Sequence, residues 1–327
     1  MLKLGIRVSS ASSSGRGHFE RCLAIRSHIT EKVFWFTDYK SQYIKNKIFK
    51  FDEIFYENGK DKFDYLKNSI KYNCINCVLV DSYHINSIDI YNISNKIPII
   101  VFIDKNITVK ANIIICPQPI DVNSSKGTKY LYGPKYAPIS DKFIFNNKKK
   151  YLKNKILISF GAYDSMGITL NVIKAIKNLI ISHSYTDNIV ITLAGESPII
   201  DQVKILIKNF SNFQLVLDSE NMEAIYEDCN IAIGAPGLSY LERLASGLPS
   251  LLISQNKIHD SLIDKWVKLG CGLRAENSIK SIQKNLKLLI CNDILRKKII
   301  VEGINLVDGK GAERIVNEIN SLVIQDD

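Results

Sequence analysis

Several features are missing from this chain of 327 residues, and each absence narrows the field. There is no short repeat period and no low-complexity tract, which excludes solenoid and collagen-like folds. Nothing approaches 18 consecutive apolar residues, and the opening "MLKLGIRVSS" has too short an apolar run for a signal peptide. The expectation is a protein that neither inserts into a membrane nor is exported. Zinc-finger spacing, an RNP-like run and a basic heptad region are all missing, so nucleic acid is not an expected partner. A Walker A lysine, a zincin motif, the kinase motif set and a Ser-His-Asp order are missing too, which removes those chemistries. The seven cysteines, an odd number scattered through apolar segments, do not make a disulfide framework. A reducing cytoplasm fits them better. Cys74 and Cys77 form a lone C-x-x-C without a second pair or histidines nearby, and are read as a structural pair entering a strand.

What is present suits a globular protein: 46% of residues are hydrophobic and 9% aromatic. The length exceeds what one core usually holds, so two domains of roughly 150 residues are expected. The formal net charge is +10, but the lysines are spread along the whole chain. That reads as a generally basic surface, with attraction of anionic small molecules as the functional alternative.

Short β-branched runs alternate with helical patterns throughout. "LGIRVSS", "KVFWFTD", "NCVLVDSY", "PIIVFID" and "ANIIICP" are strand candidates in the first half, mostly continuous apolar runs as parallel strands buried on both faces require. The polar stretch at 144–155, "IFNNKKKYLKNK", breaks the alternation and is read as a linker. Beyond it "KILISFG", "NIVITLAG", "FQLVLD", "NIAIGAP" and "PSLLISQ" repeat the pattern. The fold class expected is therefore α/β, two Rossmann-like doubly wound domains facing a central cleft, over residues 1–147 and 148–327, the last helix being a candidate to pack back on the first domain.

Two constellations could carry chemistry. After the first strand, "SSSGRGHFERC" places Gly15 and Gly17 where backbone can approach a ligand and His18 at the start of a helix. A helix start favours a neutral imidazole, which suits a base more than an acid; the other reading of His18 is a cap or packing residue. In "IGAPGLSYLERLASGLP", residues 233–249, a strand ends at Gly234 and a helix follows. Gly237, Leu238 and Ser239 would present backbone amides to a diphosphate, and Glu242 could accept from two ribose hydroxyls or simply be solvated. A third loop, "ISQNKIHD", offers Asn256 and His259. Of the other histidines, His28 and His183 read as solvated, while His84 joins His259 as a possible cleft residue.

These segments together resemble the UDP-sugar hydrolases of pseudaminic acid biosynthesis, relatives of the MurG-like glycosyltransferases with the GT-B arrangement. "IRVSSASSSGRGHFERCLAI" resembles that family's opening R-x-D…G-x-G-H-x-x-R-x-L, and "LVDSYHIN" its D-x-Y segment. "VFIDKN", "ISFGAYD", "SQNKIH" and "LVDGKGAERIVNEI" resemble the later motifs in order and spacing over nearly the whole chain. The resemblance implies that His18 helps water attack the anomeric carbon, that Tyr83 and Asn256 stand near the sugar, and that Gly15, Gly17, Leu238, Ser239 and Glu242 hold UDP. It implies inverting C–O cleavage of a UDP-2,4-diacetamido-2,4,6-trideoxyhexose without metal or cofactor; a cytoplasmic location, read from the cysteines, and a monomer complete the expectation.

Four positions depart from the family pattern: Ser9 and Lys105 stand where it has aspartates, Ala162 where it has glycine, and Lys257 where it has glutamine. They bear on which sugar groups can be bound, because discrimination at hydrogen-bonding positions is steep. Two other readings stay open. One is a GT-B glycosyltransferase using a UDP-sugar donor, which would need an acceptor face; Phe34, Trp35 and Phe36 read instead as a buried strand. The other is a nucleotide-sugar binding module without activity.

Overall fold

The computed structural model describes residues 1–9, 16–56, 64–82, 97–145, 155–182 and 188–325. The chain divides into two compact units, one of Met1–Asp141 with Gly309–Asp327, the other of Lys142–Asp308. The division falls ahead of the boundary read at 147, and the chain's end belongs with the first unit. Of the linker read at 144–155, residues 146–154 lie outside the described residues, and Lys155 already opens a strand.

In the first unit, β1 (Leu4–Val8), β2 (Phe34–Thr37), β3 (Glu53–Tyr56), β4 (Cys77–Asp81), β5 (Ile99–Phe102), β6 (Ile113–Cys116) and β7 (Lys129–Tyr132) form one sheet. Its order is β3-β2-β1-β4-β5-β6-β7, and neighbouring strands are parallel. The central strands are buried at every position, as a parallel sheet covered on both faces demands. Phe34, Trp35 and Phe36 are among them, so they form core and no acceptor face. The helices α1 (Gly17–Arg26), α2 (Gln42–Lys47) and α3 (Asp64–Tyr72) belong to this unit. Phe19 of α1 packs on Trp35 with ring centroids 5.3 Å apart. The indole Nε1 donates to Asp52 at 2.9 Å, and Arg26 at the end of α1 holds the same carboxylate with Nε at 2.7 Å. One buried aspartate thus fastens a helix and two strands at the sheet's edge.

The second unit repeats the plan with β8 (Lys155–Ser159), β9 (Asn188–Leu193), β10 (Phe213–Leu217), β11 (Ile231–Gly234), β12 (Ser250–Ile253) and β13 (Leu273–Ala275), ordered β10-β9-β8-β11-β12-β13 and parallel. Its helices are α4 (Ile168–Ile181), α5 (Ile200–Ile207), α6 (Met222–Asp228), α7 (Leu238–Ala245), α8 (Lys257–Lys268), α9 (Ile279–Cys291) and α10 (Asp293–Leu306). Each sheet reverses its strand order once, between β1 and β4 in the first and between β8 and β11 in the second. Crossovers leave such a point in opposite directions, which opens a crevice at the strands' carboxyl ends where ligands of these sheets bind.

The last helix, α11 (Gly311–Gln325), packs on α1 and on the 3-10 turn Pro134–Tyr136. Ala312, Ile315, Val316, Ile319 and Val323, at helical spacing, join the first unit's core. Gly311 at its start lies so close to Ala137 that a Cβ would run into that residue's backbone carbonyl. Among the described residues no helix is long and apolar enough to cross a membrane. Replacing Gly311 with alanine is expected to lower the unfolding free energy by about 1–3 kcal/mol through this overpacking. Gly237→Ala, where a Cβ meets open space at ordinary φ and only the N-cap preference for glycine is lost, is expected to lower it by no more than about 1 kcal/mol. Urea denaturation of the two variants beside the parent measures both.

Candidate functional site

The order reversal of the first sheet is where its charged side chains gather. Along α1, His18, Arg21 and Cys22 stand three and four residues apart and so share one face. That face meets Asp81, the last residue of β4, which is wholly buried. His18 Nδ1 lies 2.5 Å from Asp81 Oδ1. Arg21 donates Nε to Asp81 Oδ2 at 2.5 Å and Nη2 to Oδ1 at 2.5 Å. The same guanidinium reaches Asp104, two residues past β5, with Nη1 at 2.7 Å and Nη2 at 2.9 Å, and lies 4.5 Å over the Phe102 ring. The Cys22 thiol completes the set, donating to Asp81 Oδ2 at 3.6 Å.

The electrostatics follow from these contacts. Burial alone would push the Asp81 carboxyl up, but the Arg21 guanidinium and the His18 imidazole hold it well below the usual carboxylate range. Burial would likewise lower Arg21, yet Asp104 and Asp81 raise it well above its ordinary value. Burial, followed by Asp81, pushes the Cys22 thiol far up, which makes it a weak donor and no nucleophile. An ionised Asp81 accepts the Nδ1 proton of His18, which assigns Nε2 as the nitrogen able to take a proton.

Beside this cluster, Ser9 follows β1 and donates Oγ to Asp38 at 3.0 Å. Asp38 follows β2, with buried Arg7 at 4.0 Å. Where the resemblance implies an aspartate after the first strand, the neighbouring strand thus supplies the carboxylate. Lys105, next to Asp104, is exposed. Gly17 opens α1, while Gly15, Tyr83 and His84 lie outside the described residues.

In the second unit the carboxyl ends of β8, β11 and β12, adjacent in the sheet, carry three loops. Gly237 is the N-cap of α7; among the described residues no side chain caps that helix, and while the Tyr240 amide donates to Gly237 O at 3.0 Å, the Leu238 and Ser239 amides have no acceptor. Leu238 and Ser239 form its first turn, and Glu242 lies one turn on from Ser239. Buried Tyr226 donates to Glu242 Oε2 at 3.1 Å, and burial, then that carboxylate, pushes its phenol well up. After β12, Asn256 is the N-cap of α8, its Oδ1 accepting from the His259 amide at 3.0 Å. Of the Asn256 amide, Nδ2 is the part left for a ligand. Lys257 is exposed at the first position of α8. Gln255 donates Nε2 to Phe160 O at 3.1 Å, tying the β12 loop to the one after β8. In that loop Asp164 caps α4 through the Ile168 amide at 3.1 Å and the Thr169 amide at 2.8 Å.

The structure thus places Gly237, Leu238, Ser239 and Glu242 beyond the carboxyl end of β11 and Asn256 beyond that of β12 in the second unit, and Gly17 and His18 on α1 beyond β1 in the first. Sequence reasoning missed Arg21, Asp81 and Asp104 as site residues. Their signal was present: an arginine three residues after the histidine, and an aspartate at the end of each of two adjacent apolar strands. Among the described residues no group of three or more His, Cys, Asp or Glu side chains could hold a metal ion.

The comparisons with known proteins agree on the architecture. No family model matches the chain. S. aureus MnaA with UDP aligns with a TM-score of 0.73 at 14% identity, covering 98% of this chain and 96% of that one. MurG of Acinetobacter baumannii aligns at 0.66 and 13% identity over 98% and 99%, and the glycosyltransferase WaaG at 0.62 and 12% over 97% and 99%. The chain has the GT-B fold. In sequence, the uncharacterized protein MJ1062 of Methanocaldococcus jannaschii is 25% identical over 293 residues, 82% of this chain and 58% of that protein. The spore coat polysaccharide biosynthesis protein SpsG of Bacillus subtilis is 22% identical over 206 residues, 61% of this chain and 60% of that protein. The chain therefore spans about three fifths of the length of both curated relatives.

Asp81 yields a test with a defined sign. Its folded-state pKa lies below the unfolded value of about 4, so its contribution to stability is present above that pH and is lost as pH falls. Asp81→Asn leaves the buried Arg21 and His18 without that charge and is expected to cost about 3 kcal/mol or more at neutral pH. The variant's stability should also fall less steeply than the parent's below about pH 4. Denaturant unfolding of both proteins across a pH series reads out both effects.

Proposed function

We propose that this chain is a UDP-sugar hydrolase that releases UDP and a free 2,4-diacetamido-2,4,6-trideoxyhexose for nonulosonic acid synthesis. The observation that carries the reading is the His18–Asp81 contact of 2.5 Å at the order reversal of the first sheet. A histidine whose Nδ1 proton is held by an ionised, buried carboxylate is oriented as a general base through Nε2. In this reading Nε2 takes a proton from water as its oxygen attacks the anomeric carbon. The bond from that carbon to the β-phosphate oxygen breaks, and UDP leaves with the electron pair, giving inversion. Asp81 stabilises the imidazolium that forms, and Arg21 with Asp104 keeps Asp81 ionised and in place.

The same reading gives the remaining residues their roles. The amides of Leu238 and Ser239 beyond Gly237 receive the diphosphate, and Glu242, braced by Tyr226, accepts from the ribose hydroxyls. Gly15 and Gly17 admit the phosphates, while Tyr83 and the Asn256 amide contact the sugar. MnaA, solved with UDP, and SpsG, named for polysaccharide biosynthesis, support a UDP-sugar substrate and a place in glycan synthesis. All seven cysteines are free thiols, five of them buried, which suits a reducing cytoplasm, and we take the working form to be a monomer.

A glycosyltransferase with the same donor is the second reading, favoured by the likeness to WaaG. One experiment separates the two. The protein is incubated with a panel of UDP-2,4-diacetamido-trideoxy sugars, and UDP release and anomeric configuration are followed by NMR. Release with water alone and inverted product is expected, with His18→Ala slower by about a hundredfold or more and UDP affinity unchanged. Product that forms only when an acceptor is added would replace hydrolysis with transfer, and a His18→Ala rate equal to the parent's would remove His18 as the base.

A further inference from the structure

The second unit buries a cation at its own order reversal. Arg243 follows Glu242 in α7 and is wholly excluded from solvent. Its Nη2 donates to Ala235 O at 2.8 Å and its Nη1 to Ser159 O at 3.4 Å, while Nε has no partner among the described residues. Ser159 closes β8 and Ala235 follows β11, the two strands between which the sheet reverses. The backbone is thinned to admit the guanidinium, because a Cβ on Gly234 would collide with both Arg243 and the Ser159 carbonyl. Tyr240 lies alongside, its ring centroid 5.5 Å from the guanidinium carbon.

This cation lacks what a buried charge ordinarily has. Among the described residues no carboxylate lies within ion-pair distance of it; the adjacent Glu242 carboxylate, which accepts from Tyr226, acts on it through its field alone. Two backbone carbonyls supply partial negative charge only. A buried charge without a full partner is costly, and the protein retains it directly beneath the turn that leads into the uncapped start of α7. The helix dipole and the guanidinium therefore add positive potential in the same place.

We infer that Arg243 is a positioning residue for an anion site at the start of α7, holding the Ala235–Gly237 turn and supplying the charge that a bound phosphate balances. The identification of that anion as the diphosphate of a uridine nucleotide rests on the function proposed above. Arg243 does not touch the ligand; it acts through the turn and through its field. A purely structural role would weaken every nucleoside ligand alike, whereas this role acts on the phosphates.

Calorimetric titration of the full chain with UDP, uridine and inorganic pyrophosphate tests this. Arg243→Met, which keeps the bulk and removes the charge, is expected to weaken UDP and pyrophosphate at least tenfold and to leave uridine within about twofold. Arg243→Lys, which keeps the charge, should lie between Met and the parent. If Arg243→Met fails to fold, Arg243→Gln, still able to donate to the Ala235 carbonyl, carries the same comparison. Unchanged pyrophosphate affinity in the neutral variant, or equal losses for UDP and uridine, overturns the inference. A parent that binds pyrophosphate but not UDP upholds the anion site and removes the UDP-sugar reading; a parent that binds neither removes both.

Discussion

The first unit is organised around the buried carboxylate of Asp81. It ends β4, receives Arg21 and His18 from α1, and is joined through Arg21 to Asp104 beyond β5. Three elements that leave the sheet at separate points are thereby held by one charge network. None of its members is buried alone: an isolated carboxylate would take up a proton, and burying a guanidinium without a carboxylate is costly. The network forms only when β1, α1, β4 and β5 have all docked, so it reports correct assembly of the sheet as well as setting the histidine.

The second unit solves the same geometric problem with other chemistry. Its order reversal is spanned by one cation bonded to carbonyls, Arg243, and its exposed groups are backbone amides and the half-buried Glu242. The first unit thus gathers an ion-paired cluster of side chains at its reversal, and the second a lone buried guanidinium beside a helix start. Duplicated sheets carry unlike sites because the carboxyl ends of parallel strands accept any side chain that can be paired there, while the strands themselves must stay apolar.

How much of this was legible varies with position in each sheet. The interior strands β1, β2, β4, β5 and β6, and β8, β9, β11 and β12, all stand out as continuous apolar runs. The strands that escaped notice are β3, β7 and β13, and each lies at a sheet edge. An edge strand is covered on fewer sides, so "EIFY", "KYLY" and "LRA" carry charged or half-exposed residues that hide them among loops. The site shows the same split. His18 and the Gly237–Glu242 turn were readable because glycines and a histidine near a helix start carry a local signal. Arg21, Asp81 and Asp104 left a fainter trace in their spacing and Arg243 left none, because a charged residue in an amphipathic helix or at a strand end ordinarily faces water.

By itself the sequence determined two α/β units, most of their strands, and the loops on which chemistry could sit, since periodicity and turn residues act over a few positions. Only the tertiary structure decided which charges are buried and with whom. Asp81 and Arg21 are 60 residues apart in the chain, and Ser159 and Arg243 are 84 apart. Strand order brings such pairs together, and burial then obliges them to bond. The closing helix belongs to the same class of outcome. That it packs back on the first unit was an expectation, but its seat on α1 goes with a close approach at Gly311 that no local pattern encodes.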